Sequence, residues 1–158
     1  MSVTFPIGED MDEAATFYHV GVVVPDLAAG MAEMSAAVGL AWRPPAQMEM
    51  TVRTPSGLAT VNFHYAYSLD GPPYVELVES VDGSIWAAHD TYGGHAHHLG
   101  YWSADLQADA ARLERAGMVR EVSDAAADGG FEVFTYHRAK SGPLIEYVST
   151  SMKAQLLA

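Results

Sequence analysis

Apolar positions along this chain fall into two groups that repeat the same order of patterns. Residues 17–24 are apolar and β-branched and predict a strand. Asp26 follows as a helix N-cap. Leu27, Met31, Met34 and Val38 then recur at i, i+4, i+7 and i+11, one face of a helix that Gly39 ends. Gly30 weakens this helix slightly. Strands are predicted over 48–54, 59–69 and 73–79. In the second group Asp105 caps a helix with the stripe Leu106, Ala110 and Leu113, ending before Gly117. Strands are predicted over 118–123, 130–138 and 143–149. The turns Gly71-Pro72-Pro73 and Ser141-Gly142-Pro143 precede the last strand of each group. The tail from residue 150 reads as a short helix.

The two groups also share residues. His19, Gly21, Asp26 and Leu27 are matched at identical spacing by His98, Gly100, Asp105 and Leu106. Tyr74-Val75-Glu76-Leu77-Val78 is matched by Leu144-Ile145-Glu146-Tyr147-Val148. Two copies are too few for a solenoid, so they predict a duplicated module whose halves face each other. The chain divides into a leader (1–15), a first module (16–80), a linker (81–95), a second module (96–150) and a tail (151–158).

Composition narrows the function. About half of the 158 residues are hydrophobic, enough for a sizeable core. The net charge of −12, from 20 acidic and 8 basic side chains, argues against nucleic-acid and anionic-lipid partners. No run of 18 apolar residues is present to span a bilayer. The leader has neither the basic patch nor the apolar stretch of a signal peptide. The absence of cysteine removes thiolate ligands and cysteine nucleophiles, and fits a reducing, cytoplasmic setting.

Seven histidines and two strand glutamates carry the candidate chemistry. Side chains on a strand alternate faces, so His19 shares a face with Gly21 and Val23, and His98 with Gly100 and Trp102. A charged glutamate inside an apolar strand is costly unless a positive partner meets it. Glu76 and Glu146 stand at matching places in the two copies and ask for a common explanation. If the copies face each other, two imidazoles and two carboxylates converge. Such a nitrogen–oxygen set suits one divalent ion per chain: zinc, nickel, cobalt, manganese or iron. Glu79, three residues after Glu76, is expected at a strand end in solvent. His97 is expected on the face opposite His98, and His89 and His95 in loops.

These segments in this order resemble the vicinal oxygen chelate superfamily, which includes glyoxalase I, bleomycin-resistance proteins and extradiol dioxygenases. The resemblance spans residues 17–149. It rests on His19-Val20-Gly21 with Pro25-Asp26-Leu27, Val75-Glu76-Leu77, His97-His98-Leu99-Gly100 with Asp105-Leu106, and Ile145-Glu146-Tyr147. The doubled histidine resembles methylmalonyl-CoA epimerases, whereas Glu76 is more like glyoxalase I. The family implies an α+β fold of two tandem βαβββ modules forming an open eight-stranded barrel around a metal site, often as a homodimer. It implies His19, Glu76, His98 and Glu146 as metal ligands, with Glu146 doubling as catalytic base and Glu76 as its partner.

The activity implied is that of a glyoxalase-like lyase or isomerase. A proton moves α to a carbonyl while a divalent ion stabilises the enolate. The alternatives are a metal-dependent dioxygenase and a non-catalytic small-molecule-binding or resistance protein. Extradiol dioxygenases use three ligands, which a fourth at Glu76 opposes; bleomycin-binding proteins lack the ligands. Epimerases carry an extra glutamate in the first module, where Arg53-Thr54-Pro55-Ser56-Gly57 has no acid. Trp102, Tyr74, His64 and Asn62 are the expected substrate-binding residues, with Phe63, Tyr65 and Phe134 as further wall candidates. A small aromatic or partly apolar substrate follows.

Overall fold

The computed structural model describes residues 15–88, 95–140 and 144–158. The leader before residue 15, His89, Gly93-Gly94, the Ser141-Gly142-Pro143 turn and the side chain of His95 lie outside the described residues.

The chain runs β1 (Thr16–Val24), α1 (Leu27–Val38), β2 (Ala46–Thr54), β3 (Gly57–Tyr67), β4 (Tyr74–Glu79), β5 (His95–Ser103), α2 (Leu106–Arg115), β6 (Val119–Asp124), β7 (Phe134–Arg138) and β8 (Leu144–Ser149). A 3-10 turn (Thr150–Met152) and the one-turn α3 (Lys153–Leu156) form the tail. Strand–helix–strand–strand–strand thus occurs twice, in an α+β fold.

The strands close into a barrel in the order β1-β4-β3-β2-β6-β7-β8-β5. The pairs β1–β4 and β5–β8 are parallel, and the remaining pairs are antiparallel. Two seams join the copies. At one, β1 and β5 pair along most of their length. At the other, β2 and β6 share only Val52↔Asp124 and Arg53↔Ser123. The wall is tight where the repeated histidines meet and loose on the far side.

Local chemistry explains the helices. Asp26 Oδ1 accepts the Ala29 N–H at 2.7 Å and Asp105 Oδ1 the Ala108 N–H at 3.0 Å, so both predicted N-caps form. Gly39, at φ 75°, ends α1 in the left-handed region. Gly30 has a packing reason. A Cβ there would come within 3.2 Å of the Val24 side chain, so glycine lets α1 lie close against β1. The α1 stripe fades at its end, because Val38 is 65% exposed.

β7 begins at Phe134, later than the expected residue 130. The Asp124 carboxylate accepts the backbone N–H groups of Glu132, Val133 and Phe134, at 2.8–3.2 Å, and so holds the approach to β7 in an irregular turn. Inside the barrel the core is mostly rings: Tyr18, Phe63, Tyr65, Tyr67, Trp86, Trp102, Phe134 and Tyr136. Leu27, Ala66 and Leu77 pack outside under α1, and Leu106, Ala110, Phe131 and Tyr147 under α2. No helix among the described residues is long and apolar enough to cross a membrane.

Candidate metal centre

Four adjacent strands, β4-β1-β5-β8, deliver Glu76, His19, His98 and Glu146 to one point inside the barrel. The pairing of β1 with β5 sets His19 opposite Gly100 and Gly21 opposite His98. A Cβ on either glycine would overlap the imidazole of the opposite copy. The repeated His-x-Gly is therefore an interlock, in which each glycine vacates the space that the other copy's histidine fills. The glycines also adjoin the glutamates, since Gly21 pairs with Glu76 and Gly100 with Glu146.

The donor atoms are close. His19 Nε2 and His98 Nε2 are 2.8 Å apart. Glu76 Oε2 lies 3.3 Å from His19 Nε2 and 3.1 Å from His98 Nε2; Glu146 Oε2 lies 3.1 and 3.2 Å from the same atoms. Atoms that share an ion at bond lengths of about 2.0–2.2 Å are spaced in this way. All four residues are buried, and Glu146 Oε2 has no hydrogen-bond partner among the described residues. A buried carboxylate oxygen without a donor, beside two imidazole nitrogens facing each other, fits a shared cation.

The electrostatics agree. Burial alone would lower the pKa of His98, yet Glu146 and Glu76 raise it to about 9. His19 is raised in the same way, against burial, by Glu76 and Glu146. Burial alone would raise the carboxylates, but His98 and His19 hold Glu146 at about 2 and His19 and His98 hold Glu76 lower still. The pocket thus favours two negative oxygens and a compensating positive charge.

Three further features were not anticipated. His19 and His98 are each preceded by a β-bulge: Tyr18 is the extra residue on β1 and His97 the extra residue on β5. The expectation that His97 faces away from His98 is therefore overturned. A bulge breaks strict alternation, and His97 Nδ1 lies 2.8 Å from His98 Nδ1. Next, Tyr67 is the register partner of Glu76, and Tyr136 of Glu146. Their phenols are buried beside these carboxylates, and their pKa values are raised well above the ordinary value by burial and then by those charges. The aromatic–small–Tyr pattern shared by Tyr65-Ala66-Tyr67 and Phe134-Thr135-Tyr136 was the available sequence signal. Last, Trp86, from the segment after β4, is buried inside the barrel.

The sequence family described as Glyoxalase/Bleomycin resistance protein/Dioxygenase superfamily matches residues 18–135. The chain belongs to this superfamily. The match stops short of Glu146, so its standing as a candidate ligand rests on the repeat and on its place in the site. No curated protein sequence matches the chain. Among solved structures, this superfamily member is similar to methylmalonyl-CoA epimerase from Mycobacterium tuberculosis, with a TM-score of 0.59 and 19% identity over 89% of this chain and 91% of that one. It is also similar to a single-residue variant of Streptomyces coelicolor methylmalonyl-CoA epimerase in complex with 2-nitronate-propionyl-CoA, with a TM-score of 0.61 and 22% identity over 87% and 96%. At these identities the likeness is one of fold.

A small cavity of about 50 Å³ opens beside the centre. Among the described residues, Glu76 and Glu146 are the charged ones that line it; Phe63, Tyr65, Phe134 and Trp86 form much of its wall, and Met152 and Leu156 of the tail also border it. The expected substrate residues fare unevenly. His64 and Asn62 lie on the outer face of β3, because the inward side chains are Val61, Phe63, Tyr65 and Tyr67. His64 bonds Gln47 and lies 3.4 Å from Glu79. Trp102 and Tyr74 do not line the cavity. Trp102 stacks on Tyr18 at 3.7 Å, and Tyr74 packs against Tyr67 and under Arg43. Glu79 is not free in solvent at the strand end, since its Oε2 accepts the Leu27 N–H at 2.9 Å. Arg138 pairs with Glu121 at 2.9 Å.

Proposed function

We propose that this protein is a metal-dependent lyase- or isomerase-type enzyme. It would move a proton at carbon next to a carbonyl in a compact, largely apolar or aromatic substrate. The observation that carries this reading is the convergence of four buried donor atoms whose two carboxylates also face an otherwise uncharged cavity. His19, Glu76, His98 and Glu146 would hold one divalent ion. When bound, such an ion polarises a carbonyl oxygen and acidifies the adjacent carbon–hydrogen bond.

The chain's own residues do the rest. Glu146 is held ionised, the state a proton acceptor needs, and Glu76 stands across from it in the same state. Tyr67 and Tyr136 stand opposite these carboxylates in the strand register and are kept protonated by burial and by the carboxylate charges. The aromatic wall excludes water and receives a ring or a short acyl group. The epimerases of similar fold suggest methylmalonyl-CoA as a first compound to try.

Two measurements test the reading. Metal content of gently purified protein should be about one divalent ion per chain. It should fall well below that in Glu146→Gln and His98→Ala; full retention in both would reject the ligand set. Anaerobic incubation in deuterated water with methylmalonyl-CoA and with small aromatic α-hydroxy ketones should place deuterium at the carbon next to the carbonyl. Turnover that instead requires ferrous iron and consumes oxygen would replace proton transfer by the dioxygenase reading.

A further inference from the structure

The two ligand histidines have different backing. His19 Nδ1 is buried without a hydrogen-bond partner among the described residues. His98 Nδ1 meets His97 Nδ1 at 2.8 Å, and His97 Nε2 meets the Ile85 carbonyl oxygen at 2.7 Å. A carbonyl oxygen only accepts, so the His97 Nε2 carries its hydrogen. A neutral His97 then presents a lone pair at Nδ1, and His98 must donate from its own Nδ1. In neutral His98, the form that can ligate a metal, that leaves the lone pair on Nε2, the atom that faces His19, Glu76 and Glu146.

We infer that His97 is a positioning residue that sets the tautomer and ring orientation of His98 for metal ligation. This inference rests on the metal-centre reading proposed above. The bulge on β5 is what allows it, because an adjacent residue on a regular strand would point outward. His97 is itself fixed, buried with its ring near those of Trp86 and Tyr136. Its anchor, Ile85, is one residue before Trp86, so the segment that plugs the barrel also orients the metal centre. The matching bulge residue in the first copy, Tyr18, makes no such link. Its ring packs edge-on against His19 at 4.2 Å, and its hydroxyl has no hydrogen-bond partner among the described residues. Outer partners of ligating histidines typically contribute 10–100-fold in metal affinity.

The test compares His97→Leu, which removes the acceptor, with His97→Asn, whose side-chain oxygen can take the place of Nδ1. Zinc and cobalt(II) dissociation constants would be measured by competition with a chromophoric chelator, alongside the melting temperature of each metal-free protein. His97→Leu should bind about 10–100-fold more weakly and His97→Asn should recover most of that loss. Wild-type affinity in His97→Leu, or equal loss in both variants, would overturn the inference; equal loss would make His97 a packing residue only. If His97→Leu does not fold, His97→Phe serves in its place. Its ring can keep the packing near Trp86 and Tyr136 but offers no acceptor to His98, and retained affinity there is equally decisive. His98→Ala is the control. If it too retains metal, the metal-centre reading itself fails; if only His98→Ala loses metal, the role of His97 alone fails.

Discussion

The first and second copies build matching inner shells with different outer layers. Each supplies a histidine from its first strand, a glutamate from its last, a glycine two residues after the histidine and a tyrosine opposite the glutamate. Behind that shell they diverge. The first copy places Tyr18 in its bulge, stacked on Trp102. The second places His97 there, tied to Ile85. The helices diverge too. α1 has no charged residue in its first or last turn and packs through Gly30, whereas α2 buries Asp109, which bonds Ser103 and pairs with Arg112 at 2.6 Å. A shared ion would require symmetry of the donors alone, which would leave the supporting residues free to differ.

The sharpest way to break this comparison is at the glycines. Gly21→Ala and Gly100→Ala should each abolish metal binding, because the added methyl overlaps the opposite copy's imidazole. Each should also destabilise the fold by at least about 3 kcal/mol, seen as a melting temperature lower by about 6–12 °C. Tolerance of one but not the other would show that the interlock is not reciprocal.

A smaller effect is expected from pH on the metal-free protein. The pKa of His98 is raised from 6.5 to about 9 and that of His19 is raised as well, so their contribution is complete below about pH 6.5. It is lost as pH rises through about 9. The depressed Glu146 contributes fully above about pH 4.5, and that contribution is lost as pH falls through about 2. Metal-free stability should therefore peak between about pH 4.5 and 6.5 and fall by roughly 3 kcal/mol toward pH 10, as read by urea denaturation. Bound zinc should remove most of the alkaline loss, because the ion replaces the two imidazolium protons. A flat profile without metal would mean that the imidazoles are not charged in the empty site.

The smallest effect sharpens the comparison most. Tyr67→Phe and Tyr136→Phe each remove a buried hydroxyl from beside one carboxylate. Each should weaken metal binding about five- to thirty-fold, from roughly 1–2 kcal/mol, as read by isothermal titration calorimetry. Similar losses would extend the symmetry of the copies to the phenols; a large difference would confine it to the four donors.

Much of the site was legible in the sequence because the duplication repeats chemistry as well as pattern. His19 with Gly21 and His98 with Gly100 marked the histidine strands, and two glutamates in apolar strands needed a common partner. The misplacement of His64 and Asn62 was avoidable. Val61, Phe63, Tyr65 and Tyr67 already marked the odd positions of β3 as inward. His97 was a different case. The sequence carries no local sign of a bulge, whose extra residue depends on how the neighbouring strand pairs. The cavity wall was hard to assign for a similar reason. Trp102 stands on the correct face of β5, yet Tyr18 of β1 covers it.

The sequence by itself determined the repeated order of strands and helix, the caps, and the four donor residues, since these follow from spacing, side-chain chemistry and local hydrogen bonding. Only the tertiary structure decided that the donors share one point, that each glycine makes room for the other copy's histidine, and that His97 turns inward behind His98. Those outcomes depend on the register between strands far apart in the chain, and no local pattern of residues encodes that register.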